Sequence, residues 1–229
     1  MPDPSICAPT PAPSPARVFT EAERQALYDV IAHRRDVRNE FLPDPIAPEV
    51  LTRILRAAHM APSVGLSQPW DFLLVRDPAR RAQVRAAFTR ANAEATEMAP
   101  PEKRSHYAAL KLEGIDTAPL NICVTCDRSR GGAFVLGRTH QRDMDLYSTV
   151  CAVQTLWLAA RAEGIGMGWV SILREEDLRE ILHLPDHVTP VAYLCLGHVK
   201  DLFDGPELAQ RGWASRTSLE DHIREETWD

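Results

Sequence analysis

The chain lacks any hydrophobic run approaching the thickness of a bilayer, so no membrane-spanning helix is expected. It also lacks an excess of positive charge. Its 26 Lys and Arg stand against 32 Asp and Glu, for a net charge of −6, and a chain of that sign is not a general nucleic-acid binder. Its first residues carry no basic segment followed by an apolar one, so no secretory leader is expected. Cysteines are few and odd in number: Cys7, Cys123, Cys126, Cys151 and Cys195. That argues against a disulfide framework and for free thiols in a reducing cytoplasm. The eight histidines show no HExxH or comparable spacing, and Pro185 keeps His183 and His187 off a shared helical face. No metal site is expected.

What is present suffices for one sizeable core. The 229 residues are 45% hydrophobic, enough for a single domain or one large protomer of an oligomer. Six prolines before Arg17 mark residues 1–18 as a disordered tail, leaving 19–229 as one domain. Thr20 followed by Glu23 forms a capping box. The helix it opens is expected to bury Ala26, Leu27, Val30 and Ile31 and to end near "HRRDVR". After Pro48, residues Val50, Leu51, Ile54, Leu55 and Ala58 recur at helical spacing. "DFLLV" (71–75) reads as a strand, and Pro78 opens a helix running to about Ala95.

Residues 97–118 are polar and proline-marked, a lid-like excursion. "PLNICVTCD" is a buried strand. "LYSTVCAVQTLWLAA" (146–160) has no charged residue. A helix apolar on every side is buried on every side, which means a central helix or a subunit interface. Gly164 is its expected C′ residue. "MGWVSIL" and "TPVAYLCLGHV" read as strands flanking a short helix in "REEDLREILHL". Trp213 and Trp228 are expected to dock the charged tail. Helices alternating with strands give an α/β or α+β fold around one sheet.

Two motifs fail on inspection. Cys123-Val-Thr-Cys126 lies in a strand, where positions three apart face opposite sides. No second CxxC exists to complete a zinc site, so both thiols are read as core. Gly164-Ile-Gly166-Met-Gly168 follows a helix and precedes a strand, the reverse of a dinucleotide-binding loop, and its spacing is GxGxG.

Three stretches remain: "RRDVR" (34–38), "APSVGLSQPW" (61–70) and "GMGWVS" (166–171). Singly, each reads as a helix end or a turn. Together, in this order and with a late arginine in "GWASRTSLED", they resemble the nitroreductase-like flavoproteins over about residues 20 to 225. The resemblance implies an α+β fold: a central, mostly antiparallel sheet flanked by helices, in an intertwined homodimer that holds FMN at its subunit interface. It implies FMN contacts from Arg34, Arg35, Asp36, Val37, Arg38, Ser63, Leu66, Ser67, Gly168, Trp169, Val170, Ser171 and Arg216. Arg34 and Arg38 suit the phosphate and ribityl side, because guanidinium forks match phosphate. Ser63 and Ser67 would reach the flavin from the partner subunit, and Gly168 would let backbone approach the ring.

The departures from that family are informative. Ordinary members tend to carry Ser where this chain has Asp36, and a polar residue where it has Leu66. With "LKLEGI" and "GMGWVSIL", these substitutions resemble one branch, whose members consume their flavin. Those enzymes break reduced FMN with molecular oxygen into dimethylbenzimidazole, the lower ligand of cobalamin, and erythrose 4-phosphate. The resemblance implies Asp36 as the base at ribityl C1′, or as an orienter near the oxygen chemistry, with Ser171 bonded near N5 and C4a. It implies a separate flavin reductase as source of reduced FMN. Three alternatives stand beside it: an NAD(P)H-dependent nitro- or quinone reductase, a flavin carrier, and an Asp36 that only pairs with Arg34 or Arg38.

Overall fold

The computed structural model describes residues 13–228. Residues 1–12, most of the expected proline-rich tail and Cys7 among them, lie outside the described residues; 13–18 are exposed and without regular structure. The elements are α1 (Glu21–His33), α2 (Pro48–His59), β1 (Trp70–Val75), α3 (Pro78–Met98), α4 (Pro101–Ala108), β2 (Leu120–Asp127), α5 (Met144–Ala162), β3 (Ile165–Val170), α6 (Glu175–Leu182), β4 (Val188–His198) and α7 (Glu207–Gln210). Among the described residues no helix is long and apolar enough to cross a membrane.

The four strands form one sheet in the order β1-β2-β4-β3, and all three ladders are antiparallel. The period of two along each strand sorts the core into two layers. On β2, Ile122 and Val124 face α2 and α5, packing with Ile54, Ala58, Leu156 and Ala160. Cys123 faces the other way, against Val84 and Phe88 of α3 and Leu178 of α6. Cys126 is buried and bonds Thr149 of α5. The two cysteines of the CxxC thus serve opposite faces, as the strand geometry requires.

Local signals act where the sequence puts them. Thr20 and Glu23 exchange backbone bonds in a complete capping box. Pro48 and Pro78 stand in the first turns of α2 and α3. Gly164 ends α5 with φ +75°, donating to Arg161 O at 3.1 Å.

One expectation is corrected within the described chain. The apolar residues of α1 do not enter the core: Leu27, Tyr28 and Ile31 are 53%, 61% and 47% exposed. α5 is buried on one side only, through Ala152, Val153, Leu156, Trp157 and Ala160, while Tyr147, Val150 and Cys151 face outward. The outward side of α5 is uncovered within one chain, which leaves the subunit-interface reading of this helix standing. The lid-like stretch 97–118 divides in two. α4 has no buried residue, whereas Glu113, Ile115 and Ala118 are buried. The Glu113 carboxylate explains that burial: it accepts from Ile115 N–H at 2.7 Å and pairs with Lys111 at 2.5 Å. In the tail, Trp213 packs on His106 and Tyr107, but Trp228 is exposed.

Burial pushes the thiols of Cys123 and Cys195 up to about 12 from an ordinary 9.0. The fold therefore buries the neutral thiols. An unfolded chain ionises them near pH 9, the folded chain only near pH 12. Their contribution is complete below pH 9 and is lost as pH rises toward 12. Urea midpoints measured from about pH 8 to about pH 10.5 should fall, and the fall should be shallower in Cys123→Ala/Cys195→Ala. An equal slope in both proteins would remove these thiols as its cause.

Candidate active site

The segment after α1 leaves the helix in extended form at Arg34 and lies along β3. Asp36 bridges Met167 in parallel register, and Val37 N–H donates to Met167 O at 3.0 Å. That contact needs bare backbone on β3. A Cβ placed on Gly168 would stand 1.9 Å from Val37 O, and one on Gly166 would stand 3.1 Å from the Val37 side chain. Where a Cβ would stand on Gly168 the space is taken by Val37 O, so the bare backbone of Gly168 serves the contact with the 34–38 segment. Val37 is itself core, 2% exposed.

This seating fixes Asp36 from two directions. Its Oδ1 accepts from Trp169 N–H at 3.0 Å, and its Oδ2 accepts from Arg38 Nη2 at 2.6 Å. The expected pairing with Arg38 is thus present, alongside a backbone contact from β3.

A cleft of about 270 Å³ opens here, lined by Arg34, Arg35, Asp36, Arg38, Pro206, Glu207, Leu208 and Arg216. Five of the expected residues, separated by up to 182 positions (216 − 34), meet in it. Their guanidinium groups are employed differently. Arg35 is spent on the carbonyls of Phe203, Ala32 and Arg34 and so holds backbone. Arg38 lies between Asp36 and Glu207. Arg34 sits over the Trp157 ring at 4.7 Å. Among the described residues, neither Arg34 nor Arg216 has a carboxylate partner. Burial lowers the pKa of Arg34; Asp36 opposes that, while Arg35 and Arg216 add like-charge repulsion. Partly desolvated cations crowded by like charge gain most from an incoming anion.

The remaining expected residues do not join this cleft within one chain. Trp169, Val170 and Ser171 line a second hollow of about 220 Å³ with Leu173 and Tyr193. Trp169 spans the two, with its amide on Asp36 and its ring 6.5 Å from Trp157. Ser63, Leu66 and Ser67 lie in the loop before β1, outside both hollows. Ser63 Oγ accepts from Gln68 N–H at 3.0 Å. Leu66 is 80% exposed at φ +52°. Ser67 Oγ is buried and has no hydrogen-bond partner among the described residues, which leaves a donor unspent.

Two contributors escaped the sequence. Trp157 donates its indole N–H to Arg35 O at 3.2 Å while its ring supports Arg34, yet in sequence it is one more apolar residue of an uncharged helix. Glu207, 8% exposed, pairs with Arg211 at 2.5 Å and faces Arg38 at 3.6 Å. Its nearness to "GWASR" was the available signal. Among charged tail residues it does not stand out.

Comparison with known proteins agrees with this frame. The family model described as "Nitroreductase family" matches residues 31–198. A 5,6-dimethylbenzimidazole synthase of Rhodospirillum rubrum is 44% identical, covering 87% of this chain and 94% of that one. A 5,6-dimethylbenzimidazole synthase of Rhodobacter capsulatus is 41% identical, covering 88% and 97%. A crystal structure of oxidised iodotyrosine deiodinase bound to FMN and 3-iodo-L-tyrosine superposes with a TM-score of 0.71 at 21% identity, over 88% of this chain and all of that one, and so shares the fold. The chain belongs to the nitroreductase family and, within it, to the 5,6-dimethylbenzimidazole synthase branch.

Proposed function

We propose that this chain fragments reduced FMN with molecular oxygen to 5,6-dimethylbenzimidazole and erythrose 4-phosphate, the benzimidazole serving as the lower ligand of cobalamin. The observation that carries this is the placement of Asp36, a carboxylate in the lining of a cationic cleft, fixed by the Trp169 amide and Arg38. The residues fit FMN. Arg34 and Arg216 offer unspent charge to a phosphate, and the orphaned Ser67 hydroxyl offers a donor to the ring. Bound reduced FMN supplies the electrons for oxygen and the carbon of both products.

The protein's own part is positional. The arginines set the phosphate end. Asp36 then takes the proton from ribityl C1′, and Ser171 steers the chemistry near N5 and C4a. Asp36 has a separate partner on each oxygen, Trp169 N–H on Oδ1 and Arg38 on Oδ2, so its orientation does not depend on Arg38 alone.

The scattering of Ser63, Ser67 and Ser171 away from the cleft supports a homodimer in which a second chain completes the site. The outward faces of α1 and α5 leave Leu27, Tyr28, Ile31, Tyr147 and Val150 exposed within one chain, apolar residues of the kind such a contact covers. A mass in solution near that of a 25.6 kDa monomer, at concentrations where FMN binds, would contradict the dimer.

Reduced FMN is supplied by a separate flavin reductase. Two experiments test the assignment. Reduced FMN mixed with air and enzyme should yield the benzimidazole, with loss of flavin absorbance. NADPH added anaerobically should leave bound oxidised FMN yellow over minutes. Rapid bleaching by NADPH, with intact flavin after air, would favour the reductase alternative.

A further inference from the structure

We infer that Glu207 is a positioning residue for Asp36: it draws part of the Arg38 guanidinium away from Asp36 and so sets how far that carboxylate is free to act. The inference rests on the role proposed above for Asp36. Among the described residues, Arg38 is the only cation of the cleft held between two carboxylates. Its Nη2 lies 2.6 Å from Asp36 Oδ2, and its Nη1 lies 3.6 Å from Glu207 Oε2. All three groups are sheltered, with side-chain exposures of 13% for Arg38, 30% for Asp36 and 7% for Glu207. Shelter makes the competition matter, because water screens buried charges poorly.

Glu207 has no freedom to drift. Its Oε1 is held by Arg211 Nε at 2.5 Å. The same arginine's carbonyl is bonded by His106 of α4 at 2.9 Å, and Trp213 meets His106 and Tyr107 edge-on. Arg211 thus ties Glu207 to a tail that docks on α4 through the His106 bond and Trp213. Glu207 also places a negative charge in a cleft that must receive a phosphate. Its presence weakens binding. A buried carboxylate that opposes binding is consistent with a role in the step after binding.

The chemistry gives opposite signs for two steps. Without the Glu207 charge, Arg38 and the other arginines hold phosphate more tightly, while Arg38 closes on Asp36 as its sole carboxylate partner. Glu207→Gln should therefore lower the FMN dissociation constant about threefold and slow benzimidazole formation in a single turnover about tenfold. Arg211→Gln, which leaves Glu207 charged and free to close on Arg38, should weaken FMN binding about threefold without slowing that turnover.

Both variants are compared with wild type by fluorescence titration of FMN and by rapid-quench analysis of the benzimidazole. Tighter binding with slower chemistry in Glu207→Gln, and weaker binding with undiminished chemistry in Arg211→Gln, supports the inference. Parallel loss of affinity and rate in both, the pattern of a structural role, overturns it, as does an unchanged rate in Glu207→Gln. If the wild-type chain itself returns only oxidised FMN, the proposed function fails instead. The two opposite affinity shifts then still decide whether Glu207 competes for Arg38, and their absence overturns it.

Discussion

Asp36→Asn should abolish benzimidazole formation while leaving the flavin bound. Asparagine keeps the shape and an oxygen that accepts from Trp169 N–H, so the extended segment stays on β3. What is lost is a group able to take a proton, and the ion pair with Arg38 at 2.6 Å. Removal of a positioned general base lowers rates by roughly 100-fold to 10,000-fold. FMN affinity should hold or rise, since a negative charge leaves a cleft built for phosphate. Single turnover with reduced FMN and air should therefore return oxidised FMN. Ser171→Gly, lacking its hydroxyl near the reacting edge, should also slow product formation. Benzimidazole at the wild-type rate from both variants would remove Asp36 and Ser171 from the chemistry.

Gly168→Ala should be the most damaging substitution of a single methyl group. Its Cβ would meet Val37 O at 1.9 Å and Val37 C at 3.1 Å, backbone atoms that no rotamer change can move aside. Either β3 or the segment 34–38 must shift, and Val37 lies 2% exposed in the core with Phe41. The expected loss is about 3 kcal/mol or more, at the upper end for overpacking. The cleft loses its shape with it, because Asp36 and Arg38 ride on the displaced segment. Gly166→Ala provides the comparison. Its nearest obstacles are side-chain atoms of Val199 and Val37, at 2.5 and 3.1 Å, which can give by small rotations. Thermal melts and FMN titration of the two variants should show the larger loss at Gly168. A Gly168→Ala protein as stable as wild type would mean that the close approach of Val37 to β3 is not what holds the cleft together.

These two positions also show where sequence was sufficient. Asp36 was singled out because a carboxylate among arginines is out of place, and Gly168 because bare backbone can approach a flat ligand closely. Their meeting was not legible. It depends on a bridge between residues 131 positions apart, Asp36 and Met167 (167 − 36), which no local propensity encodes. Elements were legible wherever periodicity and punctuation agreed, as at Thr20 and Glu23, Pro48, Pro78 and Gly164. Within residues 97–118, the pairing of Glu113 with Lys111 and the burial of Ile115 were not legible in the charge pattern. The outward face of α1 misled for another reason. Apolar spacing reports that a face is to be covered, not that its own chain covers it. Glu207 did not stand out, because its significance lies in the distance to Arg38.

The central claim is that this chain consumes its flavin, and carbon label in the ribityl chain tests it most directly. Reduced FMN carrying 13C at ribityl C1′ is given to the enzyme with air, and the products are separated. The account predicts 13C in the benzimidazole, at the carbon between its two nitrogens, with unlabelled erythrose 4-phosphate in equal amount. Recovery of intact oxidised FMN, with the label still at C1′, would contradict it.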